Sequence, residues 1–251
     1  MGVSVAEWLL LLGAGVVAGV INSVASGGSF FTYPAFLLTG LTPIAAATTT
    51  LAALTPGNLA AIPEYWPEVN THREQYPRLL TVVISGSVVG IALLLTTGSE
   101  AFDSLVPWLI LIATAMFAMS PLIRRWAGVS APSLTDGLLG TVILFVLSIY
   151  LTYFGSGVGN MFLAMLLIRG FGEFLSANAA KNIVMTLGTA MAAIAYTASG
   201  HIDWIAAIPV LVGSAVGARF GSIWARSIPI RWLRLFIIAF GLFVAGWQFV
   251  T

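Results

Sequence analysis

The chain has 251 residues, of which 59% are hydrophobic and 8% charged, with a formal net charge of +1. A soluble domain carries about a quarter of its residues as charges, so this chain has too little polar surface to face water on all sides and must face lipid over most of its area. The few, scattered basic residues exclude a nucleic-acid surface, which needs clustered Lys and Arg, and the absence of cysteine excludes disulfides and thiolate-bound metals.

Roughly 20 residues cross a bilayer as a helix, which leaves room for about eight to ten segments and none for a separate enzymatic domain. Apolar stretches run Trp8–Val24, Phe30–Leu38, Thr42–Ile62, Leu79–Thr97 and Leu105–Ile123, and continue as Leu138–Phe154, Met161–Ile168, Phe174–Ala198, Trp204–Ala218 and Trp232–Val250. The first lacks a basic leader and its pattern continues along the chain, so it reads as a membrane segment and not as a cleaved signal peptide. Phe30–Leu38 and Met161–Ile168 are long enough only for half-helices. Each follows a cluster of small and polar residues, Asn22 to Ser29 and Gly155 to Asn160, where glycine loosens the helical preference. In hydrocarbon such irregular backbone is tolerated only where protein or a watery cavity encloses it, so both breaks should point inward.

An internal repeat follows. Gly28 and Gly159 lie 131 residues apart, and the same offset pairs Gly86 with Gly217 and Gly90 with Gly221. The order of elements recurs too: a segment, a glycine-rich break, a short helix, a long helix, then two more spans. We expect an all-α polytopic membrane protein built of two repeats, 1–128 and 129–251.

Positive charge in short loops marks the cytoplasmic side. Arg73 and Arg78, Arg124 and Arg125, and the group Arg219, Arg226, Arg231 and Arg234 fall there, whereas Glu100 with Asp103 and His201 with Asp203 mark the outside. The two repeats are then inverted, with both termini outside. The segments before Pro63 must cross an odd number of times, and each short helix either completes a crossing or turns back. Inverted repeats whose broken helices meet near the midplane are the architecture of many secondary transporters.

The chemistry is expected where the short helices start. Their leading amides lack partners within the helix and sum with the positive end of the helix dipole. Ser29 and Asn160 open these helices, and Gly27, Gly28, Gly157 and Gly159 let a ligand approach the backbone; the same glycines equally permit tight helix crossing. Asn22, Ser23 and Ser26 add amide and hydroxyl groups suited to an oxyanion. Lys181, beside Asn178 and Asn182, sits several turns inside a membrane helix. It contacts substrate, pairs with Glu173 or Asp136, or snorkels toward a vestibule. In the first half the matching stretch carries Thr48, Thr49 and Thr50 and then Asn58, after a Pro56-Gly57 pair that should bend or break the helix. The threonines alone are weak signals, because a helical threonine commonly bonds its own backbone.

His72 and His201 fall in different loops, so no metal site is expected, and no cofactor. There is no phosphate-binding glycine loop with its lysine, no carboxylate pair at one depth and no Ser-His-Asp relay, so an enzyme is not expected.

With Ala18-Gly19 through Ser23, Gly27-Gly28-Ser29, Tyr33 to Leu37, the glycines at 155, 157 and 159, and Gly213 to Gly221, the chain resembles the TauE/SafE family, the sulfite exporter or toluene sulfonate uptake permeases. The resemblance spans nearly the whole chain. It implies secondary transport of sulfite, sulfonates, thiosulfate or related small anions across bacterial or archaeal inner membranes. The sequence departs from the family at its first break, where a denser run of glycines is usual, and in carrying Met165 where Pro34 stands in the first short helix. We expect a small anion and the lipid bilayer as partners. A proton or other coupling ion, a homodimer, the direction of transport, and an anion channel or carboxylate carrier as alternatives stay open.

Overall fold

The computed structural model describes residues 4–24, 27–127, 137–171, 174–224 and 230–250. Among them are eleven α-helices and no strand: α1 Val5–Val24, α2 Ser29–Leu38, α3 Pro43–Ala61, α4 Trp66–Thr71, α5 Tyr76–Thr96, α6 Ser99–Ala127, α7 Leu138–Tyr153, α8 Val158–Ile168, α9 Phe174–Ala198, α10 Trp204–Trp224 and α11 Ile230–Val250. Four contain spans long and apolar enough to cross a membrane, Val5–Ser23, Tyr76–Thr96, Ser99–Met119 and Trp204–Gly221. This is an all-α, multi-pass membrane protein. Apolar side chains such as Val88, Leu93, Ile112, Val212 and Phe243 are exposed outward, while Thr48, Thr50, Asn58, Asn178, Lys181 and Asn182 are buried. The polar residues sit on α3 and α9, which form the middle of the bundle and pack on each other.

Directions follow from what the helix ends touch. Glu7 of α1 shares one surface hollow with Thr39 to Thr42, Ser99 and Gly200 to Ile205. The start of α1, the end of α2, the start of α3 and the α5–α6 and α9–α10 turns therefore lie at one end of the molecule, here face A. At the opposite end, face B, Arg78 of α5 shares a hollow with Arg169 and Phe171, which follow α8. There the Phe171 ring lies 5.3 Å from His72 and 5.7 Å from Tyr76, centroid to centroid.

Both short helices consequently re-enter. α1 descends from face A and α2 climbs back to it, with Gly28 pressed on the backbone of Ala18. α7 runs parallel to α5, Gly86 lying against Phe145 and Gly90 against Ile149, so α7 enters from face B and α8 returns there. Each hairpin enters from its own face. α3, α6 and α10 run from A to B, and α5, α9 and α11 from B to A. Residues 4 and 250 both belong to the face A ends of their helices.

Two readings of the sequence are corrected here. The segment expected as a loop after Pro63 holds a 3-10 turn, Ile62–Tyr65, and the short helix α4. Pro56 does not break α3, which continues to Ala61. Proline leaves carbonyls one turn back without donors. The hydroxyl of Ser214, on α10, donates to the Ala53 carbonyl at 3.1 Å, so a neighbouring helix bonds the turn that precedes Pro56.

Glycines set the tightest crossings. On α10, Gly213 and Gly217 lie on the α1 backbone at Leu12 and Val16, and Gly221 on Val20; Gly86 and Gly90 of α5 meet α7 in the same way. In lipid no hydrophobic force draws helices together, so close backbone contact has to supply the attraction. A side chain at Gly217 would overlap the Val16 carbonyl, whereas the space around Gly246 is open. Gly217→Val should lower the thermal unfolding midpoint of the purified protein by several degrees, and Gly246→Ala should leave it unchanged or raised. Equal midpoints for the two variants would contradict this packing.

Candidate functional site

The site begins at the two hairpin tips. Asn22, in the last turn of α1, folds its side chain over the first break. Its Oδ1 accepts from the Gly27 N–H at 2.9 Å and the Gly28 N–H at 2.8 Å. Two amides at the foot of α2 are thus already bonded, and the carboxamide nitrogen is what Asn22 has left to offer. The second break is built differently. The chain turns through Gly155 at φ +77° and Gly157 at φ +72°, a region that L side chains rarely adopt. The Gly155 N–H donates to the Tyr150 carbonyl at 2.9 Å. Gly157 stands at the N-cap of α8, whose first turn is Val158, Gly159 and Asn160.

The tips meet. One buried cavity of about 30 Å³ is lined by Asn22, Gly27 and Ser29 from the first and by Gly155, Gly157 and Gly159 from the second. The middle helices close it with Thr50, Leu51, Leu54 and Asn58 from α3 and Met185 and Thr189 from α9. A neighbouring space of about 130 Å³ shares Asn22, Leu54 and Asn58 with it. That space continues toward face B past Ser23, Asn182, Tyr65 and Arg219.

Toward face A the path is shut. Thr48 Oγ1 lies 2.6 Å from the His201 carbonyl, and the Asp203 N–H donates to Thr49 Oγ1 at 3.1 Å, tying α3 to the α9–α10 turn. Buried rings of Tyr33 and Phe154 meet edge-on at 5.4 Å, and the Tyr196 hydroxyl donates to the Thr152 carbonyl at 2.7 Å. Charge divides the same way. Every arginine among the described residues belongs to the face B end of the molecule, and none to face A. Among the described residues no charged side chain lines the inner cavity.

Of the residues singled out from sequence, Asn22, Ser23, Gly27, Ser29, Asn58, Gly157, Gly159 and Asn182 line these two adjoining spaces. Gly28 instead packs on Ala18, and Thr49 is part of the face A seal. Asn160, Asn178 and Lys181 are buried but line neither space. Ser26 lies outside the described residues, as do Glu173 and Asp136, the suggested partners of Lys181, and the expected repeat boundary near 128. Sequence reasoning named Thr50 and Gly155 only as members of the threonine stretch and the second break, and missed Met185, Thr189, Tyr65 and the place of Arg219 beside the outer space. A helical signal was present: Thr50, Leu54 and Asn58 recur every four residues on α3, and Asn178, Asn182, Met185 and Thr189 follow one face of α9.

Re-entrant tips that meet at one interior cavity suit a membrane carrier, and the match to known proteins agrees. The family model described as "Sulfite exporter TauE/SafE" matches residues 11–247. The chain belongs to the TauE/SafE family. Among relatives in that family, a "Probable membrane transporter protein" of Haemophilus influenzae is 28% identical over 214 residues, covering 85% of this chain and 83% of its own. "Probable membrane transporter protein YfcA" of Escherichia coli is 24% identical over 224 residues, with 85% and 80% covered. "Probable membrane transporter protein ORF9" of a Sinorhizobium species is 25% identical over 218 residues, with 85% and 81% covered. No solved structure matches the chain.

A methyl group at Gly157 would lie 2.8 Å from the Ala113 carbonyl on a backbone that also disfavours it. Gly170, at φ +80°, has open space around it. Gly157→Ala should therefore lower the unfolding midpoint more than Gly170→Ala, which carries the backbone strain alone, and should abolish transport by the reconstituted protein. Full transport in Gly157→Ala would show that the second tip does not need this shape.

Proposed function

We propose that this TauE/SafE protein is a secondary transporter that moves small anions, foremost sulfonates, sulfite or related organosulfur anions, by exposing one midplane site alternately to the two faces. The observation that carries the reading is the single cavity lined by both hairpin tips. Helix ends enclosed at mid-depth are where secondary transporters bind their substrates, and amide ends favour negative charge.

The two halves, 1–128 and 129–251, are read as inverted repeats. Exchanging α1 with α7, α2 with α8, α3 with α9, α5 with α10 and α6 with α11 turns the α1–α10 pairing into α7–α5 and leaves α3–α9 and α6–α11 paired as before. The hairpins enter from opposite faces, as such an exchange requires. The arginine-bearing face B is assigned to the cytoplasm, which puts both termini outside in an inner membrane. The structure then corresponds to a state closed to the outside, with its vestibule toward the cytoplasm. A selective anion channel fits less well, because the Thr48–His201 and Thr49–Asp203 contacts tie α3 to the α9–α10 turn at face A.

Purified protein in liposomes, supplied with labelled methanesulfonate, taurine, sulfite, thiosulfate and acetate, should show saturable uptake of at least one sulfur oxyanion. Unlabelled substrate trapped inside should speed entry of the label, as exchange through one site demands. Large electrical currents without such counterflow would favour a channel, and no flux of any anion, with or without a proton gradient, would contradict the proposal.

A further inference from the structure

Two unbonded carboxamides border one space. Asn58 of α3 and Asn182 of α9 are 8% and 5% exposed, and among the described residues neither side chain has a hydrogen-bond partner. Both line the space of about 130 Å³ that adjoins the tip cavity. Burial without a partner is not itself the signal. Thr32, Ser87 and Thr186 also carry unbonded hydroxyls, but those oxygens are sealed in the packing and line neither space. Asn178, one turn earlier on α9, is buried and unbonded and lines neither. Asn58 and Asn182 differ in meeting, from two helices, at one open volume. Buried polar groups that face such a volume take their partners from whatever fills it. The space is roughly ten times the 10–15 Å³ that one water needs, so a ligand of several atoms fits.

The other polar groups on this wall are partly committed. Asn22 Oδ1 accepts from the Gly27 and Gly28 amides at 2.9 and 2.8 Å, so Asn22 has its carboxamide nitrogen left to offer. Two hydroxyls have spent their protons. Ser23 Oγ donates to the Val20 carbonyl at 2.7 Å, and Ser214 Oγ has the carbonyls of Ala53 and Leu211 at 3.1 and 3.0 Å. A hydroxyl has one proton, so toward the space both serines can only accept. Each of Asn58 and Asn182 brings a donor nitrogen and an acceptor oxygen, whichever way its amide is turned. The wall is therefore mixed: nitrogens that suit an oxyanion, and oxygens that suit a proton donor.

We infer that this space is the seat of a small anion that carries a proton donor of its own, a hydroxyl group being the simplest. Its anionic end lies on the nitrogens of Asn22, Asn58 and Asn182, and its donor on the oxygens of the two asparagines and the two serines. The inference rests on the transport reading, from which it takes the negative charge, and it adds a second group that the ligand must have. A bare oxyanion offers acceptors only. In this space it would leave the serine oxygens facing nothing they can accept from, and a site with unpaired polar groups discriminates strongly against a ligand that lacks the matching group.

The test is calorimetric binding to the full-length protein in nanodiscs, with two pairs of anions of equal size that differ by a hydroxyl in place of a methyl group. The pairs are 2-hydroxyethanesulfonate with 1-propanesulfonate, and glycolate with propanoate. The hydroxylated member of at least one pair should bind about tenfold or more tighter, although its partner is the more apolar. Asn58→Leu and Asn182→Leu, checked for an intact unfolding transition, should each shrink that preference, and the double variant should erase it. Thr32→Val removes an unbonded hydroxyl that lies away from the space and should leave the preference unchanged.

Equal affinities within both pairs in the unaltered protein, which needs no variant to fold, would overturn the requirement for a donor while leaving transport intact. So would transport of methanesulfonate with no binding of either hydroxylated anion. A preference that survives in folded Asn58→Leu and Asn182→Leu, or that falls as far in Thr32→Val, would overturn the role of the two carboxamides. A protein that neither binds nor transports any small anion would overturn the transport reading, and this inference with it.

Discussion

A backbone amide in hydrocarbon has no water to bond, and each one left unbonded there costs several kcal/mol. This chain begins two helices in the interior of the bundle, at Ser29 and Val158, so both helix starts need enclosure by protein or by a polar space. Much of the architecture answers that need. α3 and α9 cross between the tips, turn Thr50, Asn58 and Thr189 toward them and keep lipid away. The helices facing lipid expose apolar side chains such as Val88, Ile112 and Val212 outward, as a membrane protein must.

Enclosure depends in turn on glycine. α1 can lie close to α10, and α7 to α5, because Gly213, Gly217, Gly86 and Gly90 place backbone against backbone. Each hairpin is therefore held by a helix from the other half of the chain. The closure at face A is a different kind of contact. It consists of a few hydrogen bonds from Thr48 and Thr49 to the α9–α10 turn and a small cluster of rings. Broad glycine contacts hold fixed units and sparse polar contacts join them, which is the division of labour that rocking between two states requires.

The class of protein and the two breaks were legible because low charge and abnormally short apolar runs are strong one-dimensional signals. The family resemblance rested on the same clusters and on the glycines of α10. What was not legible depended on which way a side chain turned. Thr49 and Thr50 are neighbours in sequence, yet 100° of helical rotation sends Thr49 to the face A seal and Thr50 to the cavity. The bond from Asn22 back to Gly27 and Gly28 spans a break whose conformation the sequence did not specify. Pro56 read as a bend or break, whereas α3 runs on to Ala61, its preceding turn bonded by Ser214, which stands 158 residues beyond Pro56. Re-entry of the short helices likewise showed only in what their far ends touch, Thr39 near Glu7 and Arg169 near Arg78.

Everything functional requires that the two tips face one another inside the membrane. The chain contains no cysteine, so a Ser29→Cys, Gly159→Cys pair provides the only two thiols. Treated in native membranes with a short bifunctional thiol reagent and analysed by peptide mass, the pair should be bridged within one molecule, since both residues line the same small cavity. Two tips each modified singly and never bridged, with each thiol reacting readily from the lipid phase, would mean that no shared cavity exists.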